Sequence, residues 1–204
     1  MQQKIQPRKQ PRQKRARETV AAIIEATAIV LKREGYEKTN TNIIAEIAGV
    51  SIGTLYQYFP NKESLFMALV EDHSNRMLSK LQETAIQMAD APISDTVRHY
   101  VKVMIQAHSI DPVLHSALIA QVFHLGKPIL QKAKAHSIMI VRAYLETRRD
   151  EIVAKDLDIA TYIIVTMVES VVHLAAIERP EFFQTDAFVD EMCGNIMRYL
   201  VGSS

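Results

Sequence analysis

The chain has 204 residues, of which 48% are hydrophobic, and its low content of glycine (six) and proline (seven) favours long helices over a turn-rich β architecture. Its single cysteine, Cys193, excludes an internal disulfide and a zinc site built of thiolates. No apolar run approaches the roughly 20 residues of a membrane span, and the net charge of +1 is unevenly distributed.

The excess positive charge lies in an N-terminal arm, which we predict to be disordered over residues 1–16. Residues 1–17 carry seven Lys and Arg side chains and no acid, which leaves 17 basic and 23 acidic residues in the rest of the chain. Two interpretations stay open: a solvated tail, or an arm that lies against phosphates or in a minor groove. The arm lacks the apolar segment of a secretory signal, so we expect a cytoplasmic location.

Two helices are predicted after the arm. Apolar residues recur with helical period between Arg17 and Glu34, and Gly35 is expected to end this helix in the left-handed conformation. Thr39 or Asn40 can cap a short second helix, because their side-chain oxygens accept hydrogen bonds from its first N–H groups.

A third helix, predicted from Ile52 to Phe59, completes a helix-turn-helix pattern. Gly49 ends the helix before it, Ser51 is its expected N-cap, and Leu55 is expected to point inward with Phe59. The side chains expected to point away from the core are Thr54, Gln57 and Tyr58, with Tyr56 at the edge. The helix measures roughly 12 Å, which matches the width of a DNA major groove.

Pro60 stops the third helix, and Asn61 is expected to cap a fourth helix that links two domains over residues 61–83.

Gly53, in the first turn of the third helix, lowers the stability of that helix by roughly 1 kcal/mol relative to alanine. The missing side chain would let a phosphate or a base edge come close to the backbone.

The sequence around the third helix closely resembles the DNA-binding domain of tetracycline-repressor (TetR) family regulators. It matches the pattern AGVSxGTLYxYFxxKxxL at every fixed position. These positions are Ala48, Gly49, Val50, Ser51, Gly53, Thr54, Leu55, Tyr56, Tyr58, Phe59, Lys62 and Leu65. The resemblance by motif covers about residues 17–80. Ile43 departs from closely similar motifs, which carry an arginine there, so the phosphate or base contact expected of that arginine is missing.

The resemblance implies that the outward face of the third helix and its flanks bind DNA. The positions that match phosphate contacts are Thr41, Thr54, Tyr56, Tyr58 and Lys62. The positions that match contacts to base edges are Asn42, Ile52, Gly53 and Gln57, and Ser51 completes the candidate interface. Asn and Gln amides can pair bidentately with adenine. For Tyr56 and Tyr58, core packing stays an alternative to DNA contact. For Lys62, the alternative is a solvated side chain that contacts nothing.

The remaining two thirds of the chain show helical periodicity in five segments: 94–109, 112–124, 128–151, 157–178 and 185–201. The 157–178 helix is apolar on nearly all sides and must be covered on more than one of them. As in the TetR family, we expect it to form a homodimer interface together with the 185–201 helix. A two-fold dimer would place two recognition helices on a near-palindromic operator in double-stranded DNA.

The middle helices carry candidates for a pocket that binds a small, mostly hydrophobic effector. These are Tyr100, Met104, His108, Leu118, Phe123, His124, Ile140, Tyr144, Tyr162 and Met167. Plain core packing is an alternative for each of them. Glu169 and His173 lie four residues apart on one helix and can pair. We expect a polar pair at an interface, and a ligand contact is the alternative. No histidine spacing predicts a metal site, and no cofactor is expected.

The sequence therefore predicts an all-α chain with an N-terminal three-helix helix-turn-helix DNA-binding domain (17–63) and a larger C-terminal helical ligand-binding and dimerisation domain (64–204). The predicted function is a sequence-specific transcriptional regulator, a repressor released by a small effector, with no contact to a membrane. The alternative is a DNA-binding adaptor or architectural protein whose C-terminal domain contacts only proteins. An enzyme is not expected, because no catalytic motif occurs.

Overall fold

A computed structural model of the chain describes residues 14–109 and 127–202. Within these ranges all regular structure is helical, and the predicted fold class is confirmed. The α-helices are α1 (Lys14–Lys38), α2 (Thr41–Ile47), α3 (Ile52–Tyr58), α4 (Lys62–Gln87), α5 (Ile93–Ser109), α6 (Lys127–Thr147), α7 (Leu157–Glu178) and α8 (Asp186–Val201). Short 3₁₀ helices, Arg149–Glu151 and Pro180–Gln184, precede α7 and α8. The predicted helix 112–124 lies outside the described residues.

The chain divides into two compact units, with a boundary inside α4 between Ser74 and Asn75. The first unit contains α1, α2, α3 and the first half of α4, together with residues 127–130 at the start of α6. The second unit contains the rest of α4, α5, most of α6, α7 and α8.

The first unit is built on a small apolar core that α1, α2, α3 and the start of α4 share. Its centre contains Ile23, Ile44, Leu55, Phe59 and Leu65, each at most 1% exposed. Burial of a side chain of this size stabilises the folded state by about 1.5–3 kcal/mol. The core therefore fixes the orientation of α3, which contributes Leu55 from its inner face.

Two predicted glycines interrupt the helical geometry of this unit. Residues 14–16, predicted to belong to the disordered arm, are instead part of α1, and the helical geometry of α1 is broken at Gly35, where φ is +71°. Gly49, in the turn between α2 and α3, has φ +66°. Glycine adopts this left-handed region without the steric cost that a Cβ atom imposes.

Side-chain caps start the next three helices, as predicted from their polar residues. A side-chain oxygen accepts a hydrogen bond from a main-chain N–H of the first turn in each case, which satisfies a group that has no partner within the helix. The oxygen-to-nitrogen distances are 2.8 Å from Asn40 to Asn42, 3.0 Å from Ser51 to Thr54 and 2.8 Å from Asn61 to Ser64.

The second unit has a larger apolar core, in which α5 packs against α7 and α8. Val101, Ala160, Val168, Ile196 and Leu200 are at most 1% exposed. The helix predicted over 128–151 ends at Thr147 and is followed by the first 3₁₀ helix.

Helix α7 is apolar well beyond the face that it buries in the second unit. Nine of its residues are buried, yet five large apolar side chains on it are 41–57% exposed. These are Ile159, Tyr162, Ile163, Leu174 and Ile177. Despite the interruptions at Glu169 and His173, its mean hydropathy reaches 1.7 over 18 residues, so by length and composition alone it could cross a membrane. A core helix passes the same test.

Candidate nucleic-acid interface

Helix α3 has one buried face and one exposed face, which follow from the helical spacing of its apolar and polar residues. Leu55 is fully buried in the core of the first unit. On the other side Ile52, Gly53, Tyr56 and Gln57 are exposed. Two of these exposed side chains are large and apolar or aromatic, with Ile52 38% and Tyr56 41% exposed. A surface of this kind on a two-turn helix is available for contact with another molecule.

Hydroxyl groups fix the start of α3. The Ser51 Oγ accepts a hydrogen bond from the Thr54 N–H at 3.0 Å and lies 2.9 Å from the Thr54 Oγ1. Because the cap holds both side chains in one orientation, neither needs to be ordered when a ligand binds. Ser51 is exposed and Thr54 is half-buried.

A second hydroxyl pair connects α2 with α3. The Thr41 Oγ1 and the Tyr56 hydroxyl lie 3.1 Å apart, close to the protein surface. Asn42 and Ile43, next to Thr41 on α2, are exposed, whereas Tyr58 is half-buried and packs against the core. The predicted contact residues Thr41, Asn42 and Tyr56 are thus brought together, and Tyr58 also has a packing role.

Lys62, at the start of α4, is directed at the C-terminal part of α1. Its ammonium donates a hydrogen bond to the Tyr36 main-chain oxygen at 3.0 Å and lies 3.4 Å from the Glu37 main-chain oxygen. It also lies 4.2 Å from the centre of the Tyr36 ring, which packs edge-on against Phe66 at a centroid distance of 4.4 Å. A cation stabilises carbonyl groups at a helix end and an aromatic face. Lys62 therefore joins α4 to α1, a role that the family resemblance does not include.

We expect Lys62→Met to lower the free energy of unfolding of the first unit by about 1.5–3 kcal/mol, because a hydrogen bond from a charged group is lost. Urea unfolding of the full chain measures the stability change. Lys38→Met is the matched control: it removes the same charge from an exposed side chain and should change stability by less than about 0.5 kcal/mol. Equal stabilities of the two variants would contradict the role assigned to Lys62.

The second unit contains an apolar cavity of about 50 Å³, lined by residues of α4, α5, α6, α7 and α8. Among the predicted effector-binding residues, Tyr100, Ile140 and Tyr144 line it. The Tyr144 hydroxyl is buried and has no hydrogen-bond partner within the described residues. Burial raises the pKa of Tyr100, and the nearby Glu169 raises it further, so this phenol stays protonated.

The other predicted effector-binding residues lie away from this lining. Met104 and His108 are buried elsewhere in the second unit, at 6% and 0% exposure. Met167 is half-buried, and Tyr162 is 56% exposed. Leu118, Phe123 and His124 lie outside the described residues. Of the candidates that are described, the structure brings Tyr100, Ile140 and Tyr144 together at one cavity.

Two family models account for most of this chain. The one described as "Bacterial regulatory proteins, tetR family" matches residues 23–69, and the one described as "Tetracyclin repressor-like, C-terminal domain" matches residues 92–200, more than half of the chain. The chain belongs to the TetR family. The resemblance inferred from the α3 motif is confirmed, and the chain is a TetR-family transcriptional regulator with a DNA-binding helix-turn-helix. Its relatives are transcriptional regulators.

TetR relatives with similar sequences match over little more than a third of this chain. The fatty acid metabolism regulator protein of Bacillus subtilis (strain 168) is 32% identical over 78 residues, 38% of this chain and 40% of the relative. The transcriptional repressor KstR of Mycolicibacterium smegmatis is 34% identical over 70 residues, 34% of each chain. The matched segment thus spans less than half of either relative.

Solved TetR-like structures resemble nearly the whole chain. The fatty acid degradation regulator FadR of Bacillus halodurans has a TM-score of 0.67 at 21% identity, covering 87% of this chain and 97% of that one. SmeT, the repressor of the Stenotrophomonas maltophilia multidrug efflux pump SmeDEF, has a TM-score of 0.65 at 20% identity, covering 90% and 92%. At these identities the likeness concerns the fold.

Proposed function

We propose that this TetR-family regulator is a cytoplasmic homodimer that represses transcription at a near-palindromic operator and is released by a small, mostly hydrophobic effector. The observation that carries the proposal is the outward face of α3, where Ile52, Gly53, Tyr56 and Gln57 are exposed on a helix anchored from its inner side. The seven residues of α3 measure about 10 Å, which fits a major groove about 12 Å wide.

The exposed groups divide into two kinds of DNA contact. The hydroxyls of Thr41, Thr54 and Tyr56 suit phosphate oxygens, which position a protein without reading sequence. The amides of Asn42 and Gln57 can read adenine, and the Ile52 methyl groups can contact a thymine methyl. The two hydroxyl pairs support this division, because they hold Thr41, Thr54 and Tyr56 in place before DNA binds.

Gly53→Ala tests whether this face lies against DNA. In the free protein a Cβ at this position would have the Ser51 Oγ as its nearest neighbour, at 3.7 Å, which is ordinary van der Waals contact. Alanine should therefore fit and stabilise α3 by about 0.5–1 kcal/mol. We expect at least about a tenfold loss of operator affinity, roughly 1.4 kcal/mol, because the methyl group would occupy the space of the closest DNA approach.

Thermal unfolding measures the stability of the Gly53→Ala protein, and titration with operator DNA measures the affinity of the same preparation. Opposite changes, higher stability and weaker binding, are the predicted result. An operator affinity equal to that of the wild-type protein would mean that the first turn of α3 does not approach DNA.

The exposed apolar side chains of α7 support a homodimer. Ile159, Tyr162, Ile163, Leu174 and Ile177 are each more than 40% exposed on one helix. Burial of such side chains against a second copy is favourable by about 25 cal/mol per Å² of apolar surface. Tyr199 of α8, the other helix of the expected interface, is 39% exposed. A two-fold axis through these helices would place the α3 helices of both protomers on the operator.

The cavity in the second unit supports release by an effector. Its lining is apolar, and the unpartnered Tyr144 hydroxyl offers one directional hydrogen bond. At about 50 Å³ it is smaller than ligand pockets of roughly 300–1,000 Å³, so an effector must move the lining helices apart. Such a ligand binds one conformation better than the other, which is the condition for shifting the DNA affinity. SmeT, similar in fold, is known in a complex with triclosan.

A further inference from the structure

Every described residue that lines the cavity of the second unit is uncharged. The lining comes from five helices, α4 to α8, and consists mostly of aliphatic side chains. A carboxylate or an ammonium group placed there would lose its hydration without gaining an oppositely charged partner. The lining therefore selects against charged ligands. Its polar side chains decide what else a ligand needs, and these are Thr84, Thr96, Tyr100 and Tyr144.

The two threonines already donate their hydroxyl protons to main-chain oxygens. The Thr84 Oγ1 donates to the Lys80 main-chain oxygen at 2.9 Å. The Thr96 Oγ1 lies 3.3 Å from the main-chain oxygens of Met88 and Pro92. A hydroxyl has one proton to donate, and a carbonyl oxygen can only accept. Neither threonine therefore has a proton left for a ligand.

The Tyr144 hydroxyl differs from those of the threonines, because it is buried and has no hydrogen-bond partner within residues 14–109 and 127–202. Such a group is unfavourable, since it has lost its hydrogen bonds to water and gained none in the protein. Tyr144 belongs to the cavity lining. A ligand that accepts a hydrogen bond from this phenol would supply the missing interaction, and a carbonyl or ether oxygen meets that requirement.

Tyr100 supplies no negative charge for a cationic ligand. Burial raises the pKa of its phenol, and the charge of Glu169 raises it further, so the phenol stays neutral. Glu169 is not among the described lining residues. Burial raises the pKa of this carboxyl, whereas the charge of Lys134 and a hydrogen bond from Ser137 lower it. An amine ligand would therefore have to compete with a lysine that already lies near the carboxylate.

We propose that the cavity binds an uncharged ligand with an apolar body and an accepting oxygen, as in alkyl ketones, esters and ethers, through the Tyr144 hydroxyl. This inference rests on the proposed function, in which an effector opens the same cavity. It adds the chemical class of that effector, and it excludes alkyl carboxylates and alkyl amines of similar size.

Calorimetric titration of the full chain at neutral pH, without DNA, tests the ligand class with three probes: 2-heptanone, heptanoate and heptylamine. We expect 2-heptanone to bind at least about tenfold more tightly than either charged probe, because a charge would lose its hydration in the cavity. Tyr144→Phe should bind 2-heptanone about 2- to 10-fold more weakly, because one hydrogen bond is lost. Tyr162→Phe is the matched control. It removes the hydroxyl of a 56% exposed tyrosine outside the described lining and should bind 2-heptanone like the wild-type protein.

Urea unfolding of Tyr144→Phe without a probe gives an independent reading. Removal of a buried hydroxyl that has no partner should leave the stability unchanged or raise it, so this variant should fold. A loss of stability would mean that the hydroxyl has a partner, and it would overturn the inference. Equal or tighter binding of a charged probe, unchanged 2-heptanone binding by Tyr144→Phe, or no binding of 2-heptanone at all would also overturn it.

Operator titration with and without each probe separates this inference from the proposed function. If 2-heptanone binds as expected but leaves the operator affinity unchanged, the ligand class is supported and release by this ligand is contradicted. If heptanoate or heptylamine releases the operator while 2-heptanone does not, the ligand class is overturned and the proposed repressor stands.

Discussion

Leu174→Glu is expected to convert the protein from a dimer into a monomer and to lower its affinity for a two-half-site operator by about 100- to 10,000-fold. Leu174 is 54% exposed on α7, on the same helix as the exposed Ile163 and Ile177. A carboxylate at the centre of an apolar interface would be buried without a partner, which strongly opposes association. Each monomer would then bind one half-site separately. The added operator affinity that comes from joining two DNA-binding domains in one dimer would be lost.

Sedimentation velocity and operator titration measure the two effects of Leu174→Glu. Ile86→Glu is the matched control, because Ile86 is an isoleucine on α4 that is 77% exposed and receives the same new charge. It should stay dimeric and bind the operator normally. A Leu174→Glu protein that remains a dimer with unchanged affinity would exclude α7 as the interface.

Gln57→Ala is expected to abolish the base preference at one position of each half-site. A bidentate amide contact to a base distinguishes the correct base by about 1–3 kcal/mol. A dimer contacts this position once in each half-site. A base change made in both half-sites should therefore weaken the binding free energy of the wild-type protein by about 2–6 kcal/mol. The Gln57→Ala protein should bind the original operator and the operator with the symmetric base change equally well. Its fold should be unaffected, because Gln57 is exposed.

Competition titrations with the two operators measure this discrimination. Gln87→Ala removes another exposed amide, at the end of α4, and should keep the full base preference. If Gln57→Ala discriminated between the operators as well as the wild-type protein does, another residue would read that position.

Local sequence signals predicted the first unit well. The caps at Asn40, Ser51 and Asn61 and the glycine breaks at 35 and 49 depend on interactions within a few residues, which a sequence displays directly. The inward direction of Leu55 followed from helical spacing in the same way. Helix periodicity also placed α5, α7 and α8 within one residue of their observed starts.

Contacts between distant segments could not be predicted. The ammonium of Lys62 reaches the main chain of Tyr36, 26 residues earlier; the motif identified Lys62 but assigned it only to DNA. The spacing of His108 and His173 carries no motif, and only the packing of α5 on α7 brings them together. Residue type alone does not distinguish the cavity-lining Tyr144 from the exposed Tyr162.

We expect the exposed face of α3 to contact DNA in two copies held at a fixed separation. Selection of bound duplexes from a random pool by the wild-type protein, followed by sequencing, tests this most directly. We expect a near-palindromic motif whose half-sites are centred a whole number of helical turns apart, about 10–10.5 base pairs each. A bound pool with the same sequence composition as the starting pool would contradict it.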